Sequence, residues 1–295
     1  MSPTLTTHLL TLDPPALQTS TTHPFLHAAG SGTLPRHTLS RWLSQDRLYA
    51  QAYVRFIGLL ISKIRLPDVY PTSTSTSTSP SDSGGSSSNP TLEQRTLHLL
   101  SASLTNIVRE MQLFDVLARK YDLDLNVPPT GERVPGPGVV THAYGDLFAS
   151  AGGTGMGLLE GLVVLWATEY CYLSSWGYAR GVMDGSASDS ASASASVSAS
   201  HGGGGSAGDG SAGAPDYDND LDGGALRKEL IPNWTSEAFG TFVGDIAGVV
   251  DEVAAIEIGD VESDRMSGAG EALLGRCERW WRQVVWLEGG FWPDV

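Results

Sequence analysis

Three stretches of this chain place a carboxylate at the centre of an otherwise apolar helical stripe, and that pattern restricts the folds open to it. In "TLSRWLSQDRLYAQAYVRF", residues 38–56, Trp42, Asp46, Tyr49, Tyr53 and Phe56 follow one another at offsets of four, three, four and three. At about 100° per residue they share one helix face, with Asp46 turned toward the core. The second stripe carries Leu162, Leu165, Trp166, Glu169, Tyr172, Leu173 and Trp176, and the third Trp281, Val284, Val285, Glu288, Phe291 and Trp292. A lone ionised carboxylate in an apolar interior costs several kcal/mol or more, roughly, unless it is paired or hydrogen-bonded. Taken singly, each acid reads as a group at the stripe's edge, reaching water or pairing with Arg55, Arg180 or Arg282. Three together, each flanked by rings, point instead to one polar pocket with aromatic walls, where close carboxylates push each other's pKa apart and so supply an acid and a base.

The spacing predicts an all-α chain, because no segment shows sustained strand alternation or a hairpin dipeptide between β-branched runs. About six or seven helices are expected, forming an antiparallel bundle with a pocket between them. A short helix is expected near His23 to Ala29. The Asp46 helix should start at Pro35 and run to about Arg65, and a long helix should follow Pro90 and Thr91. Two segments lack the apolar content to fold on their own: residues 71–91, rich in Ser and Thr, and residues 184–224, rich in Gly, Ser, Ala and Asp. Both read as disordered inserts in a single domain spanning 1–295.

With 18 basic and 33 acidic residues the formal charge is −15, which argues against nucleic-acid and anionic-membrane surfaces as partners. No apolar run approaches the roughly 18 residues of a membrane span, and the N-terminal residues have no secretory pattern. The two cysteines, Cys171 and Cys277, have no metal-type spacing, and a reduced, cytoplasmic setting is expected. The seven histidines form no pair at metal-ligand spacing on a helix, so no metal is expected; His23 and His142 read as capping or loop residues. "AGGTGMG", 151–157, lacks the P-loop lysine and reads as a flexible connection. Cys171 lies about 200° from Glu169 on the same helix, so one pocket cannot receive both. It reads as a packing residue if Glu169 faces inward, and Cys277 as a half-exposed structural thiol.

"HPFLHAAGSGTLPRHTLSRWLSQDRLY" resembles the opening of the TenA/thiaminase II family, and "LEGGFW" resembles its close, a glutamate three residues before a Phe-Trp pair. "THAYGDLF" is similar to the family's middle tyrosine-bearing segment, and "NWTSEAFGTFV" to another, with Trp234 where tyrosine is usual. The resemblance implies a haem-oxygenase-like helical bundle, often a homo-oligomer, that hydrolyses a C–N bond of aminopyrimidines derived from thiamine, or of thiamine itself, in thiamine salvage. It implies no cofactor. It implies that Asp46 binds the pyrimidine's amino group and ring nitrogen, that Tyr49 lines the pocket, that Tyr144 contacts the substrate or nucleophile, that Phe291 packs on the ring, and that Glu288 donates or relays a proton. The usual Pro-Cys-x-x-x-Tyr segment is replaced by "WATEYCYLSSW", which places Glu169 at the cysteine position; a shift of two residues restores Cys171. A family branch without the cysteine is thought to use a carboxylate, a role Glu169 could take. The alternative is a non-catalytic small-molecule-binding or scaffold protein on the same fold.

Overall fold

The computed structural model of the chain describes residues 3–68, 90–185, 217–259 and 267–295. Among them there is no strand. The helices are α1 (Leu5–Leu10), α2 (Pro14–Thr21), α3 (Pro24–Ser31), α4 (Arg36–Ile61), α5 (Leu92–Tyr121), α6 (Val139–Gly152), α7 (Leu158–Met183), α8 (Ile231–Trp234), α9 (Glu237–Glu257) and α10 (Gly268–Phe291), with a π-turn over Leu226–Leu230 leading into α8. The all-α expectation holds, with more helices than the spacing suggested. The extra ones are α1 and α2, too short to show a stripe, and α8.

α7 is the central element. From Leu159 to Thr168 every residue is buried, as expected of a helix enclosed on all sides. It packs against α2, α3, α6, α9 and α10, while α4 lies against α5 and α6. Two glycines make these approaches close. A Cβ on Gly30 would run into the Ala179 carbonyl oxygen, and one on Gly161 into the Leu60 side chain. α5 starts at the expected place with a reciprocal cap: the Thr91 side chain accepts from the Gln94 backbone N–H, and the Gln94 side chain accepts from that of Thr91. α4 differs at both ends, because Pro35 occupies the N-cap position and the helix stops at Ile61, four residues before Arg65.

Residues 71–89 and 186–216 of the two inserts lie outside the described residues. The end of the second insert corrects the expectation. Residues 217–224 are folded against the bundle, with Asp220 and Asp222 buried. The Leu221 N–H donates to the Gly32 carbonyl at 3.0 Å. Arg227 donates to Asp220, and the two oxygens of Asp222 accept from the Gly224 and Leu226 backbone at 2.8 Å each, capping the π-turn. Gly32 ends α3 at φ 73°, and a side chain there would strike Asp220. Composition marked this segment as unfoldable alone, but its aspartates serve as caps and ion-pair partners for groups elsewhere in the chain.

The glycine-rich connection between α6 and α7 is tied down as well. Lys63 donates to the carbonyls of Gly153 and Met156 at 2.5 and 2.8 Å. His23 caps α3 by accepting from the Phe25 N–H, and the exposed His142 lies 3.9 Å from Asp146. Among the described residues no helix is long and apolar enough to cross a membrane.

Candidate functional site

Each stripe delivers its acid to the interior. Asp46 and Glu288 are buried at 3% exposure each, while Glu169 is partly buried. None pairs with the arginines considered from sequence: Arg180 pairs with Asp184, and Arg282 with Glu278. Tyrosine hydroxyls take that place. Tyr172 donates to Asp46 Oδ2 at 3.2 Å, Tyr53 to Glu169 Oε1 at 2.5 Å, and Tyr144 to Glu288 Oε2 at 2.9 Å. Ser175 adds a weaker donor to Glu288 at 3.4 Å.

A neutral hydroxyl offsets only part of the cost of removing a carboxylate from water, so burial dominates the protonation of all three. It pushes Glu169 up to about 8 and Glu288 up to about 7, with the tyrosine bonds pulling the other way. Asp46 is raised well above the ordinary aspartate value, first by burial and then by the fields of Glu110, Glu288 and Glu169.

Glu110, on α5, is a fourth acid that the sequence reading missed. It is pushed up to about 7 by burial, and Trp234 Nε1 donates to its Oε1 at 2.6 Å. The signal was present, since Ile107, Glu110, Phe114 and Leu117 repeat the offsets of three, four and three, and Ile107, Phe114 and Leu117 are buried. Glu160 was missed too. It is buried at the start of α7, where its Oε1 accepts from Arg276 and Trp280, and reads as structural.

Asp46, Glu110 and Glu169 border two adjoining recesses. The inner one, about 30 Å³, is lined by Asp46, Tyr49, Thr168, Glu169 and Tyr172, among others. The outer one, about 280 Å³, is walled by Trp234, Phe239, Phe242 and Asn233 and reaches exposed Arg109 and Asn106. Tyr53, Ile107, Glu110, Glu169 and Tyr172 border both. Asp46 and Glu169 thus meet at one recess, as expected. Glu288, Tyr144 and Phe291 line neither recess. They lie behind Tyr49, whose ring is 5.1 Å from Tyr144 and 5.7 Å from Phe291 and which feels the charges of Glu169, Glu288 and Asp46.

Both cysteines are fully buried. Cys171 belongs to the Glu288 side, and burial together with the Glu288 charge holds its thiol well above the ordinary value. Burial pushes Cys277 up to about 12, against the pull of Arg276, which corrects the expectation of a half-exposed thiol. Neither is poised as a thiolate. Among the described residues no group of acids, histidines and cysteines is arranged to hold a metal.

Residues 14–70 match the model of the TENA/THI-4/PQQC family. Solved structures similar to the chain include a TenA homologue from Pyrococcus furiosus (TM-score 0.62, 17% identity, 98% of each chain) and a TenA homologue from P. horikoshii OT3 (TM-score 0.60, 17% identity, 98% of this chain and 97% of that one). A TenA family transcription regulator from Silicibacter sp. TM1040 is similar too, with TM-score 0.62, 16% identity and coverage of 98% and 94%. A curated protein of Fusarium pseudograminearum, described as a probable transcription factor, is 32% identical over 293 residues. That alignment takes in 99% of this chain, which spans about half of the relative's length, 52%.

Proposed function

We propose that the chain is a cytoplasmic aminopyrimidine hydrolase of the thiaminase II type, a reading supported by the match of residues 14–70 to the TENA/THI-4/PQQC family model and by the likeness of its fold to TenA homologues. The observation that carries this reading is the gathering of Asp46, Glu169 and Glu288, from α4, α7 and α10, around Tyr49 with tyrosines in place of basic partners.

In this reading Asp46 faces the N–C–N edge of the aminopyrimidine. A carboxyl group that holds its proton donates to the ring nitrogen and accepts from the amino group, and moving the proton onto the ring draws electrons toward the heterocycle. The inner recess of about 30 Å³ has room for roughly one water. The ring therefore enters when Tyr172 leaves Asp46 and Tyr49 turns aside, which merges the recesses and brings Glu288 into reach. Glu169, deprotonated, takes a proton from water as its oxygen bonds to the exocyclic methylene. The C–N bond breaks, and Glu288 delivers a proton to the departing amine, directly or through Tyr144.

The test is incubation with 4-amino-5-aminomethyl-2-methylpyrimidine and with thiamine, followed by identification of the hydroxymethyl pyrimidine. Glu288→Gln is expected to lower turnover by about 10²–10⁴-fold while leaving pyrimidine affinity within about threefold. A variant as fast as wild type would overturn the role. Trp234 in place of the family's tyrosine favours a second reading, a binding protein with the chamber kept and the chemistry lost. It would show thermal stabilisation by an aminopyrimidine with no product formed.

A further inference from the structure

Glu110 stands at the junction of the two recesses, and its environment differs from that of the other acids. One oxygen is held by the Trp234 indole, and the other has no hydrogen-bond partner among the described residues. Of the charges acting on Asp46, that of Glu110 is the largest. The outer recess beside it has aromatic walls from Tyr172, Trp234, Phe239 and Phe242, and its one basic lining residue, Arg109, is exposed at the rim.

A chamber with acids within and rings around them favours a cation. A positive group lets the nearby carboxylates ionise at lower cost, and ring faces attract it further, more strongly where water is excluded. We infer that the outer recess is a subsite for a positively charged substituent on the leaving side of the aminopyrimidine, with Glu110 selecting for the charge and Trp234 positioning Glu110. This rests on the aminopyrimidine reading and adds the property that distinguishes among its ligands.

The probes are thiamine, whose thiazolium ring carries a fixed positive charge, and its neutral isostere 3-deazathiamine, in which a thiophene replaces that ring. Both are titrated calorimetrically into the full chain carrying Glu288→Gln, so that neither is consumed. Thiamine should bind at least tenfold more tightly. Adding Glu110→Gln should reduce that preference to under twofold with deazathiamine affinity unchanged, and Trp234→Phe should reduce it in part. Equal binding of the two ligands, or a preference that survives Glu110→Gln, would overturn the inference while leaving the aminopyrimidine reading standing. Failure of both ligands to bind would remove that reading, and this subsite with it.

Discussion

Burial without a cationic partner sets the protonation of Asp46, Glu110, Glu169 and Glu288, and hence the pH at which the proposed chemistry runs. Glu169 must be ionised and Glu288 protonated, with values near 8 and 7. The productive combination is then a minority form that peaks between the two. A plot of kcat/KM against pH should be bell-shaped with limbs at about 7 and 8, the two values belonging to the pair rather than to single residues. Glu169→Gln should remove the activity, whereas Cys171→Ser should leave it within about twofold, because that thiol lies on the Glu288 side and is held protonated. Asp46, Glu169 and Glu288 were legible in the sequence because a charge within a stripe of rings contradicts the stripe's own logic. Glu110 carries the same offsets but a fainter signal, because its stripe offers Ile107, Phe114 and Leu117 with a single aromatic, which makes an acid there look like an ordinary surface residue. Glu169 and Cys171 could be separated by angle, but which of them faced the recess depended on where α7 sat among its neighbours.

At the scale of the helix, periodicity read α4, α5, α7 and α10 well because each is long enough to repeat its stripe several times. α1 and α2, "LTTHLL" and "PPALQTST", have no such repeat. Tertiary bonds fix them: Asp251 accepts from the Thr6 backbone and hydroxyl at 2.8 Å each, and the Ser20 carbonyl accepts from Trp292 Nε1 at 3.0 Å. Asp13 before two prolines is a local cue for α2, an N-cap followed by residues suited to a first turn, as the N-cap Thr4 is for α1. The close approach of α3 to α7 predicts that Gly30→Ala is destabilising by about 1–3 kcal/mol, since backbone rather than a flexible side chain opposes the methyl group. Gly58→Ala, with open space around it in the last turn of α4, should be neutral or stabilising. Urea unfolding of the two variants measures the contrast.

For the whole molecule, composition carried the second insert too far at its end, because buried Asp220 and Asp222 look the same in a list as solvated aspartates. Removing residues 190–212 should leave the melting temperature within about 2 °C, whereas a deletion extending through 224 should lower it by about 5 °C or more, through loss of the Asp220–Arg227 pair and the cap on the π-turn. Stability should also depend on pH in an unusual direction. An acid whose value is higher in the folded state holds its proton there after the unfolded chain has released it. The stability these acids contribute is therefore greatest below about 4.5 and declines as pH rises toward 7 to 8, by roughly 3 kcal/mol for Glu288 alone. Melting temperatures from pH 5 to 8.5 should fall, and fall less for Glu288→Gln. The dry acid chamber thus changes the molecule's net electrical behaviour: at neutrality the native protein should migrate more slowly in an electric field than a charge of −15 requires. When it melts in weakly buffered solution, it should acidify its surroundings, giving up the hydrogen ions its interior had kept.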